Sequence, residues 1–316
     1  MKATAIAHPN IALIKYWGKR DLPLNLPSVS SISMTLSSFY TQTSVIWGHK
    51  EDTLILNGHK QEYSQATRVF SFLDRIDTNR PPCLVTSNNN FPTAAGLASS
   101  SSAFAALALA ATHASQRSFS KKELSVLARQ GSGSACRSIW GGWVRWDKGT
   151  QRDGSDSHGT PIADADHWDV CMIIAVVSSK PKKIGSTKGM LASEQTSPFY
   201  SKWVETAQED VSKAQTALIN KDIDTLGECM EHSTIKMHST MMTTQPSIRY
   251  WKPQSLAIIE LVENLREEGF SCYQTMDAGP NVKILCPREE ASSIAKRVQK
   301  ITPCHILEPG HDARLL

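Results

Sequence analysis

A serine-rich segment that leads into an apolar helix constrains the fold of this chain more than any other feature. Residues 89–103 read Asn-Asn-Phe-Pro-Thr-Ala-Ala-Gly-Leu-Ala-Ser-Ser-Ser-Ser-Ala, and an Ala- and Leu-rich run continues to Ala114. Pro92 and Gly96 favour a tight loop, and the run after them favours a helix. Because unpaired backbone N–H groups at the start of a helix bind anions, the segment predicts a phosphate loop.

This loop differs from a Walker A motif, because no Gly-Lys-Ser/Thr ends it and no lysine lies between Asn88 and Gln116. Its donors would be backbone N–H groups and the serine hydroxyls. The alternative is an ordinary loop ahead of a buried helix, since serine is a favoured N-cap and alanine the best helix former. Further segments help to decide between the two.

The length and composition of the chain indicate a two-lobed enzyme-sized protein. Its 316 residues, 40% of them hydrophobic, can bury a sizeable core. The net charge of +4 is small and the basic residues are scattered, which argues against a nucleic-acid arm. Seven widely spaced cysteines without a Cys-x-x-Cys pair suggest neither a zinc site nor a disulfide framework. With no signal peptide and no long apolar run, we expect a soluble cytoplasmic protein.

Hydrophobic periodicity predicts a mixed fold with a boundary near residues 160–185. For the first part the predicted strands are 2–7, 43–47, 53–56, 83–88 and 142–146, and the predicted helices are 62–78, 99–115 and 120–130. For the second part the predicted strands are 170–177, 270–276, 281–286 and 304–307, and the predicted helices are 198–219, 222–238, 254–268 and 288–300. We therefore expect an α+β fold with lobes at 1–178 and 179–316.

Two segments of the first lobe combine charged and polar groups suited to an anionic ligand. In the first, Pro9 to Asp21, Lys15 and Lys19 flank Tyr16, a directed hydroxyl donor. In the second, Gly131-Ser-Gly-Ser-Ala-Cys-Arg-Ser, the glycines allow close backbone approach and the Arg137 fork fits a carboxylate. The alternatives are a solvated loop that anchors its aromatic residues, and a glycine-rich turn with a solvated arginine.

Two segments of the second lobe complete the set. In Met276-Asp-Ala-Gly-Pro-Asn-Val-Lys, the Gly-Pro turn would hold Asp277 on rigid backbone, where it could act as a base. The alternative is an aspartate that caps its own turn. Residues 178–190 contain four lysines and several hydroxyls that could close over phosphates, although lysine-rich loops are usually solvated surface; we predict a role for Ser186.

Taken together, these segments resemble the diphosphomevalonate decarboxylases, which belong to the galactokinase, homoserine kinase, mevalonate kinase and phosphomevalonate kinase superfamily. The resemblance extends over most of the chain, and the matching segments occur in the same order as in that family. It rests on Asn-Ile-Ala-x-x-Lys-Tyr-Trp-Gly-Lys-Arg-Asp from Asn10, the phosphate loop from Asn89, Gly-Ser-Gly-Ser-Ala-Cys-Arg-Ser from Gly131 and Asp-Ala-Gly-Pro-Asn from Asp277.

The resemblance implies a lobe similar to ribosomal protein S5 domain 2, a ferredoxin-like C-terminal lobe, and ATP and Mg²⁺ as cofactors. It implies ATP-dependent decarboxylation of mevalonate 5-diphosphate to isopentenyl diphosphate by way of phosphorylation at the C3 hydroxyl. Asp277 would accept or orient the hydroxyl proton with Lys15 beside it, and Arg137, steered by Asn10, would hold the carboxylate.

The resemblance also implies the remaining contacts. The substrate would be bound by Tyr16, Lys19, Ser132, Gly133, Ser134, Arg137 and Ser186. The nucleotide would be bound by Asn90, Pro92, Ala95, Gly96, Leu97, Ala98, Ser99, Ser100, Ser101 and Ser102, with Ser100 nearest to the metal. A homodimer, with no nucleic-acid or membrane partner, is expected.

Three other functions remain open at this point. The chain could be a mevalonate 3-kinase or a phosphomevalonate decarboxylase of the same superfamily, and measuring CO₂ alongside ADP would separate a kinase from a decarboxylase. It could instead be a catalytically silent module that binds anions or RNA. The scarcity of basic stripes and the presence of Asp277 argue against the last.

Overall fold

The structure, a computed structural model, describes residues 1–91, 99–180 and 182–316. It confirms the expected α+β class. The strands are β1 (Lys2–Ala7), β2 (Asn10–Ile14), β3 (Lys19–Asp21), β4 (Leu26–Pro27), β5 (Ser31–Thr35), β6 (Thr41–Trp47), β7 (Thr53–Leu56), β8 (His59–Lys60), β9 (Cys83–Asn89), β10 (Trp143–Trp146), β11 (Gly159–Ala163), β12 (Val170–Ala175), β13 (Tyr273–Met276), β14 (Val282–Pro287), β15 (Cys304–Leu307) and β16 (Arg314–Leu315). The α-helices are α1 (Tyr63–Ile76), α2 (Ser99–Ala114), α3 (Lys121–Gly131), α4 (Ser186–Thr196), α5 (Tyr200–Ile219), α6 (Ile223–Met242), α7 (Pro253–Glu267) and α8 (Arg288–Val298), and 3-10 helices span Gly133–Ile139 and Ala165–His167.

The first sheet has the strand order β16-β1-β6-β9-β7-β8 and is antiparallel except between β7 and β9. Helix α2 packs on β1 and β6, and alanines supply most of its buried side chains. Small side chains let a helix lie close to a sheet, so the Ala-rich run is explained by packing as well as by propensity. This packing fixes the first turn of α2, where the serine run begins.

A second, antiparallel sheet has the order β11-β10-β5-β2. Three of its strands, β2, β5 and β11, were not predicted from the sequence. Every residue of β2 and β5 is buried, including Asn10 and the serines of β5, so neither strand shows an alternation of apolar and polar residues. The segment from Pro9 to Asp21 therefore begins as a buried strand and is not a solvated loop.

The third sheet, β13-β14-β12-β15, is antiparallel and has apolar residues on both faces. Met172 and Ile174 face α5 and α6, which lie between this sheet and the second sheet, whereas Ile173 faces α7 and α8. Burial on both faces accounts for the uninterrupted apolar run of β12. The lobe boundary at residue 178 stays a prediction, although β12 at Val170–Ala175 already pairs with strands of the C-terminal region.

Helix α4 forms in a segment for which the sequence periodicity predicts no helix. Its Gly189 lies against the Trp17 indole, where an added Cβ would come within 3.0 Å of the ring. The Trp17 indole N–H donates to the Ser193 hydroxyl at 3.0 Å, and the Trp203 indole N–H donates to the Trp17 carbonyl at 2.8 Å. Tertiary packing on a tryptophan thus overrides the weak helical propensity of Ser186–Thr196. No helix in the described ranges is long and apolar enough to cross a membrane.

Candidate active site

A single cleft brings together the segments singled out from the sequence. Its volume is about 960 Å³, and its walls come from β2 and the residues after it, the first turn of α2, the 3-10 helix at Gly133–Ile139, residues 178–180 and 182–190, and the turn at Asp277–Pro280. The predicted site residues that line it are Asn10, Lys15, Tyr16, Lys19, Ser99, Ser100, Ser132, Gly133, Ser134, Arg137, Ser186 and Asp277.

Asp277 lies between two buried lysines. The Lys15 Nζ is 2.8 Å from its Oδ1 and the Lys283 Nζ is 3.1 Å from its Oδ2. Both lysine side chains are 1% exposed, whereas that of Asp277 is 29% exposed and contributes to the cleft wall. Each carboxylate oxygen therefore has its own ammonium group.

The three charged groups perturb one another. Burial alone would raise the pKa of Asp277, but the two ammonium groups outweigh burial and hold the pKa below its ordinary value. Burial lowers the pKa of Lys15 to about 8, although the Asp277 carboxylate opposes that shift. Asp277 is thus an ionised carboxylate throughout the physiological pH range, and the Lys15 pKa lies just above that range.

Hydrogen bonds of the backbone hold both members of the Lys15–Asp277 pair. The Lys15 backbone N–H donates to the Ser233 hydroxyl of α6 at 3.0 Å, and its Nζ also donates to the Ala12 carbonyl at 2.7 Å. Asp277 follows β13 directly, and the Gly279 N–H closes a tight turn onto the Asp277 carbonyl at 2.7 Å. The site is therefore built on strand ends, as predicted for Asp277, and not on a mobile loop.

Arg137 is almost completely buried and its guanidinium is fixed from three sides. Its Nε and one Nη donate to the Asn10 Oδ1 at 3.2 and 3.1 Å, and the other Nη donates to the Ser31 hydroxyl at 2.6 Å. The Asn10 amide in turn donates to the Ser138 hydroxyl at 2.8 Å, and the guanidinium lies over the Trp146 ring. Asn10 and Arg137 thus form a hydrogen-bonded pair, and both residues line the cleft.

Tyr16 and Lys19 both line the cleft, but of the two only the Lys19 side chain has hydrogen-bond partners among the described residues. The Tyr16 hydroxyl is buried without a hydrogen-bond partner among the described residues, and burial raises its pKa, so it remains a protonated donor. The Lys19 Nζ donates to the Asn25 side chain at 2.6 Å and to the Thr187 hydroxyl at 3.1 Å. Burial lowers the Lys19 pKa to about 8, with a further contribution from Arg68.

The first turn of α4 supplies the Ser186 and Thr187 hydroxyls to the same wall. Gly185 is the N-cap and offers no side-chain cap to this helix. The Lys182 Nζ donates to the Ser186 hydroxyl at 2.8 Å and to the Ala278 carbonyl at 3.2 Å. Lys182 therefore links the start of α4 to the turn that carries Asp277.

The serine run divides between the cleft and the core. Ser99 and Ser100 line the cleft, and the Ser132 hydroxyl donates to that of Ser100 at 3.1 Å. Ser101 and Ser102 are fully buried and, among the described residues, do not line the cleft, because successive residues of a helix point about 100° apart. Their predicted nucleotide contacts are corrected accordingly.

Asn90 also lies away from the cleft within the described part of the chain. Its side chain accepts from the Tyr40 N–H at 2.7 Å and donates to the Ser38 carbonyl at 2.6 Å, so it holds a neighbouring loop. The remaining predicted nucleotide-loop residues, Pro92, Ala95, Gly96, Leu97 and Ala98, lie outside the described residues.

Two cations, one paired with Asp277 behind the cleft wall and one in the wall itself, were missed by the sequence analysis. Lys283 could have been found, because a lysine inside the run Val-Lys-Ile-Leu-Cys marks a buried charge that needs a partner. Arg68 gives no local signal: it lies on α1 and donates to the Gly131 carbonyl, and only the tertiary fold brings it to the cleft wall.

Two family models match the chain. The Diphosphomevalonate decarboxylase-like N-terminal domain matches residues 7–159, and the Mevalonate 5-diphosphate decarboxylase C-terminal domain matches residues 172–311. Among curated proteins, the chain is 40% identical over 325 residues to the diphosphomevalonate decarboxylase mvd1 of Aspergillus fumigatus, with 95% of this chain and 80% of that protein covered.

Solved structures show the same similarity. The mevalonate diphosphate decarboxylase from Staphylococcus aureus superimposes with a TM-score of 0.94 at 38% identity, covering 100% of this chain and 98% of that one. The protein MDDEF in complex with MVAPP, AMPPCP and magnesium superimposes with a TM-score of 0.93 at 39% identity, covering 100% and 99%. The similarity therefore extends over both lobes.

Proposed function

The chain belongs to the diphosphomevalonate decarboxylase family, and we propose from this premise how its cleft carries out the ATP-dependent decarboxylation of mevalonate 5-diphosphate. The products are isopentenyl diphosphate, ADP, phosphate and CO₂. The observation that carries the proposed mechanism is the presence, in one cleft, of an ionised carboxylate held by two lysines and a buried guanidinium. The first suits phosphoryl transfer from ATP to a hydroxyl, and the second suits a substrate carboxylate.

Asp277 would act on the C3 hydroxyl during phosphoryl transfer. The hydroxyl oxygen bonds to the γ-phosphorus as the bond to ADP breaks, and the hydroxyl proton passes to Asp277. A strongly lowered pKa does not prevent this, because a hydroxyl oxygen that has bonded to phosphorus is far more acidic than a carboxylic acid. In a loose transition state the proton leaves late, so the main role of Asp277 is to orient the hydroxyl in line with phosphorus.

Arg137 would hold the substrate carboxylate during the second step. The C3–O bond breaks with loss of phosphate, the C1–C2 bond breaks, and its electron pair forms the double bond of isopentenyl diphosphate as CO₂ leaves. The C1–C2 bond must be aligned with the emptying orbital at C3. A guanidinium fixed by Asn10 and Ser31 provides such alignment, an orientation effect that is worth several kcal/mol in favourable cases.

The non-reacting diphosphate would be bound at the opposite end of the cleft. Tyr16 offers a buried hydroxyl that has no hydrogen-bond partner among the described residues, Lys19 an ammonium group, and Ser186 a hydroxyl at the start of a helix. Gly133 and the serines on either side of it form the adjoining wall. Binding energy from this remote group can then be used to position C3.

The cleft also fits the nucleotide and its metal. No group of three or more His, Cys, Asp or Glu that could hold a metal ion exists among the described residues, and the Ser99 and Ser100 side chains in the cleft wall would supply hydroxyl oxygens to the metal. Mg²⁺ in such sites is bound by phosphate oxygens, waters and few protein atoms, and its presence neutralises phosphate charge. We propose Ser100 as its protein ligand.

The activity is tested by incubating the pure protein with ATP, Mg²⁺ and each of mevalonate, its 5-phosphate and its 5-diphosphate. Mass analysis is expected to show isopentenyl diphosphate, ADP, phosphate and CO₂ with the 5-diphosphate. ADP without CO₂ would indicate a 3-kinase, and turnover restricted to the 5-phosphate would indicate a phosphomevalonate decarboxylase.

Gly133→Ala is expected to raise KM for mevalonate diphosphate about tenfold with a smaller effect on kcat. The added Cβ would lie 2.8 Å from the Tyr16 hydroxyl and 2.9 Å from the Trp146 ring, so the buried tyrosine must move. Gly227→Ala is a matched control: its Cβ would strike Tyr273 within 2.0 Å, outside the cleft. The control should lower Tm and leave KM unchanged, and an unchanged KM in Gly133→Ala would argue that Tyr16 does not contact substrate.

The pH dependence of kcat/KM is expected to show a fall above about pH 8. Lys15 and Lys19 have pKa values lowered to about 8, and both lose their positive charge as pH rises through that value. In the substrate complex the added anion raises the Lys19 pKa, so kcat should fall at a higher pH than kcat/KM does. Steady-state rates measured across the pH range give the profiles of both kcat and kcat/KM. A kcat/KM that stays level well above pH 8 would contradict the roles assigned to Lys15 and Lys19.

We further propose that the enzyme is cytoplasmic and homodimeric. Seven free cysteines, six of them buried, support a reducing compartment. The dimer rests on the resemblance to the family alone, and sedimentation analysis of the purified protein tests it.

A further inference from the structure

Lys283 is a charged residue inside a central strand. It lies on β14, between Thr275 of β13 and Ile174 of β12, and its side chain is 1% exposed. Burying an ammonium group is costly unless the group is paired. Its hydrogen-bonding and ionic partners among the described residues are the Asn281 carbonyl at 3.2 Å and the Asp277 Oδ2 at 3.1 Å.

Neutralising Asp277 does not require Lys283. Lys15 already pairs with the Asp277 carboxylate at 2.8 Å, and the Arg137 guanidinium is close enough to influence Lys15 electrostatically. Lys283 therefore adds a surplus positive charge to a buried site, which works against stability. A feature that opposes stability at a catalytic site calls for a functional explanation.

The geometry gives such an explanation. A carboxylate bonded through one oxygen can rotate about its terminal torsion, which is broad and roughly two-fold. With Lys15 on Oδ1 and Lys283 on Oδ2, both oxygens are fixed, and the exposed part of Asp277 can face the cleft in one orientation only. An in-line phosphoryl transfer depends on that orientation.

We propose that Lys283 is a positioning residue, which acts through Asp277 to hold its carboxylate in the orientation needed for phosphoryl transfer to the C3 hydroxyl. The inference rests on the proposed function, because it presupposes that Asp277 orients that hydroxyl. Lys283 itself does not line the cleft wall within the described residues.

The test compares Lys283→Met with the wild-type enzyme in an assay of ADP and CO₂ release from mevalonate diphosphate. We expect kcat to fall between about 10- and 100-fold with little change in KM. Lys283→Gln, which keeps a hydrogen-bond donor without the charge, should have an intermediate kcat. Lys236→Met is a matched control, because it removes a lysine paired with Asp210 between α5 and α6, outside the cleft; its kcat should be unchanged.

A double-mutant cycle separates positioning from a structural role. In an Asp277→Asn background, Lys283→Met should change kcat less than about twofold, because the group through which Lys283 acts is already lost. If the two effects multiply, Lys283 acts independently of Asp277 and the proposal is overturned. Failure of both Lys283 variants to fold would also overturn it, since Lys283 would then have a structural role.

The pH profile of kcat/KM provides a second readout that a structural role would not move. The charged or titratable groups that act on this cluster are Lys15 directly after β2, Arg137 in the 3-10 helix, Lys182 before α4 and His238 on α6. Burial lowers the His238 pKa to about 3, so it stays neutral in the assay. Removing Lys283 removes a repulsion that lowers the Lys15 pKa and an attraction that lowers the Asp277 pKa, so any limb due to either group should move to higher pH.

The outcomes distinguish a failure of the proposed function from a failure of the role of Lys283. If the wild-type enzyme does not release CO₂ from mevalonate diphosphate, the proposed function fails. If the wild-type enzyme is active but Lys283→Met has an unchanged kcat and an unchanged pH profile, the function stands and the role of Lys283 is overturned.

Discussion

Asp277→Asn is expected to release ADP and CO₂ about 10³-fold more slowly than the wild-type enzyme while binding mevalonate diphosphate with similar affinity. Asparagine keeps the size of the side chain, but its amide cannot take the hydroxyl proton and presents a donor where the carboxylate has an acceptor. Single-turnover rates with saturating ATP measure the chemical step, and calorimetric titration measures the affinity.

The same substitution leaves two buried ammonium groups without their counter-charge. The cost in unfolding free energy is expected to be about 3 kcal/mol, so thermal unfolding must accompany the kinetics. Asp210→Asn is a matched control, because it removes the carboxylate from the Lys236 pair outside the cleft and should affect stability without lowering kcat. Near-normal turnover in a folded Asp277→Asn enzyme would remove Asp277 from the chemistry.

Arg137→Lys is the second substitution with a large expected effect, a loss of about 10²-fold or more in kcat/KM. The guanidinium bonds Asn10 through two nitrogens and Ser31 through a third, and an ammonium group cannot reproduce this planar arrangement. A shorter, singly fixed cation would leave the substrate carboxylate free to turn. Decarboxylation should therefore suffer more than phosphorylation, and ADP release should exceed CO₂ release.

Arg129→Lys provides the matched control for Arg137→Lys. Arg129 is also fully buried, but its guanidinium donates to the backbone carbonyls of Leu24, Gly154 and Ser157, outside the cleft. Its replacement should lower Tm and leave the ratio of CO₂ to ADP at one. Equal kinetics for the Arg137→Lys and wild-type enzymes would show that no carboxylate is held at Arg137.

Much of the cleft could be predicted because its charged and polar residues lie in short continuous segments of the sequence. A Gly-Pro turn follows Asp277, small residues precede Arg137, and two aromatic residues follow Lys15. Each of these segments lines the cleft as a local arrangement that folding preserves. Contacts between residues that are distant in the sequence could not be predicted from such segments. Arg68 of α1, for example, reaches the cleft wall only through the tertiary fold, where it donates to the Gly131 carbonyl.

The errors in the prediction have physical causes of the same kind. Ser101 and Ser102 match the serine pattern, but helical geometry turns them into the core. Strands β2 and β5 are buried on both faces, so no alternation marks them. Helix α4 depends on Trp17, which lies far away in the sequence, and no local propensity could indicate that contact.

The bond between the Lys15 and Asp277 side chains joins residues separated by 262 positions, and the contact of Lys15 with Ser233 spans 218. The reactive centre thus comes into being only when distant stretches of the polypeptide have found one another, which is slow compared with forming local helices. Catalytic competence is consequently a late event in maturation. During refolding, the return of turnover would report completion of the whole tertiary arrangement and not of either half.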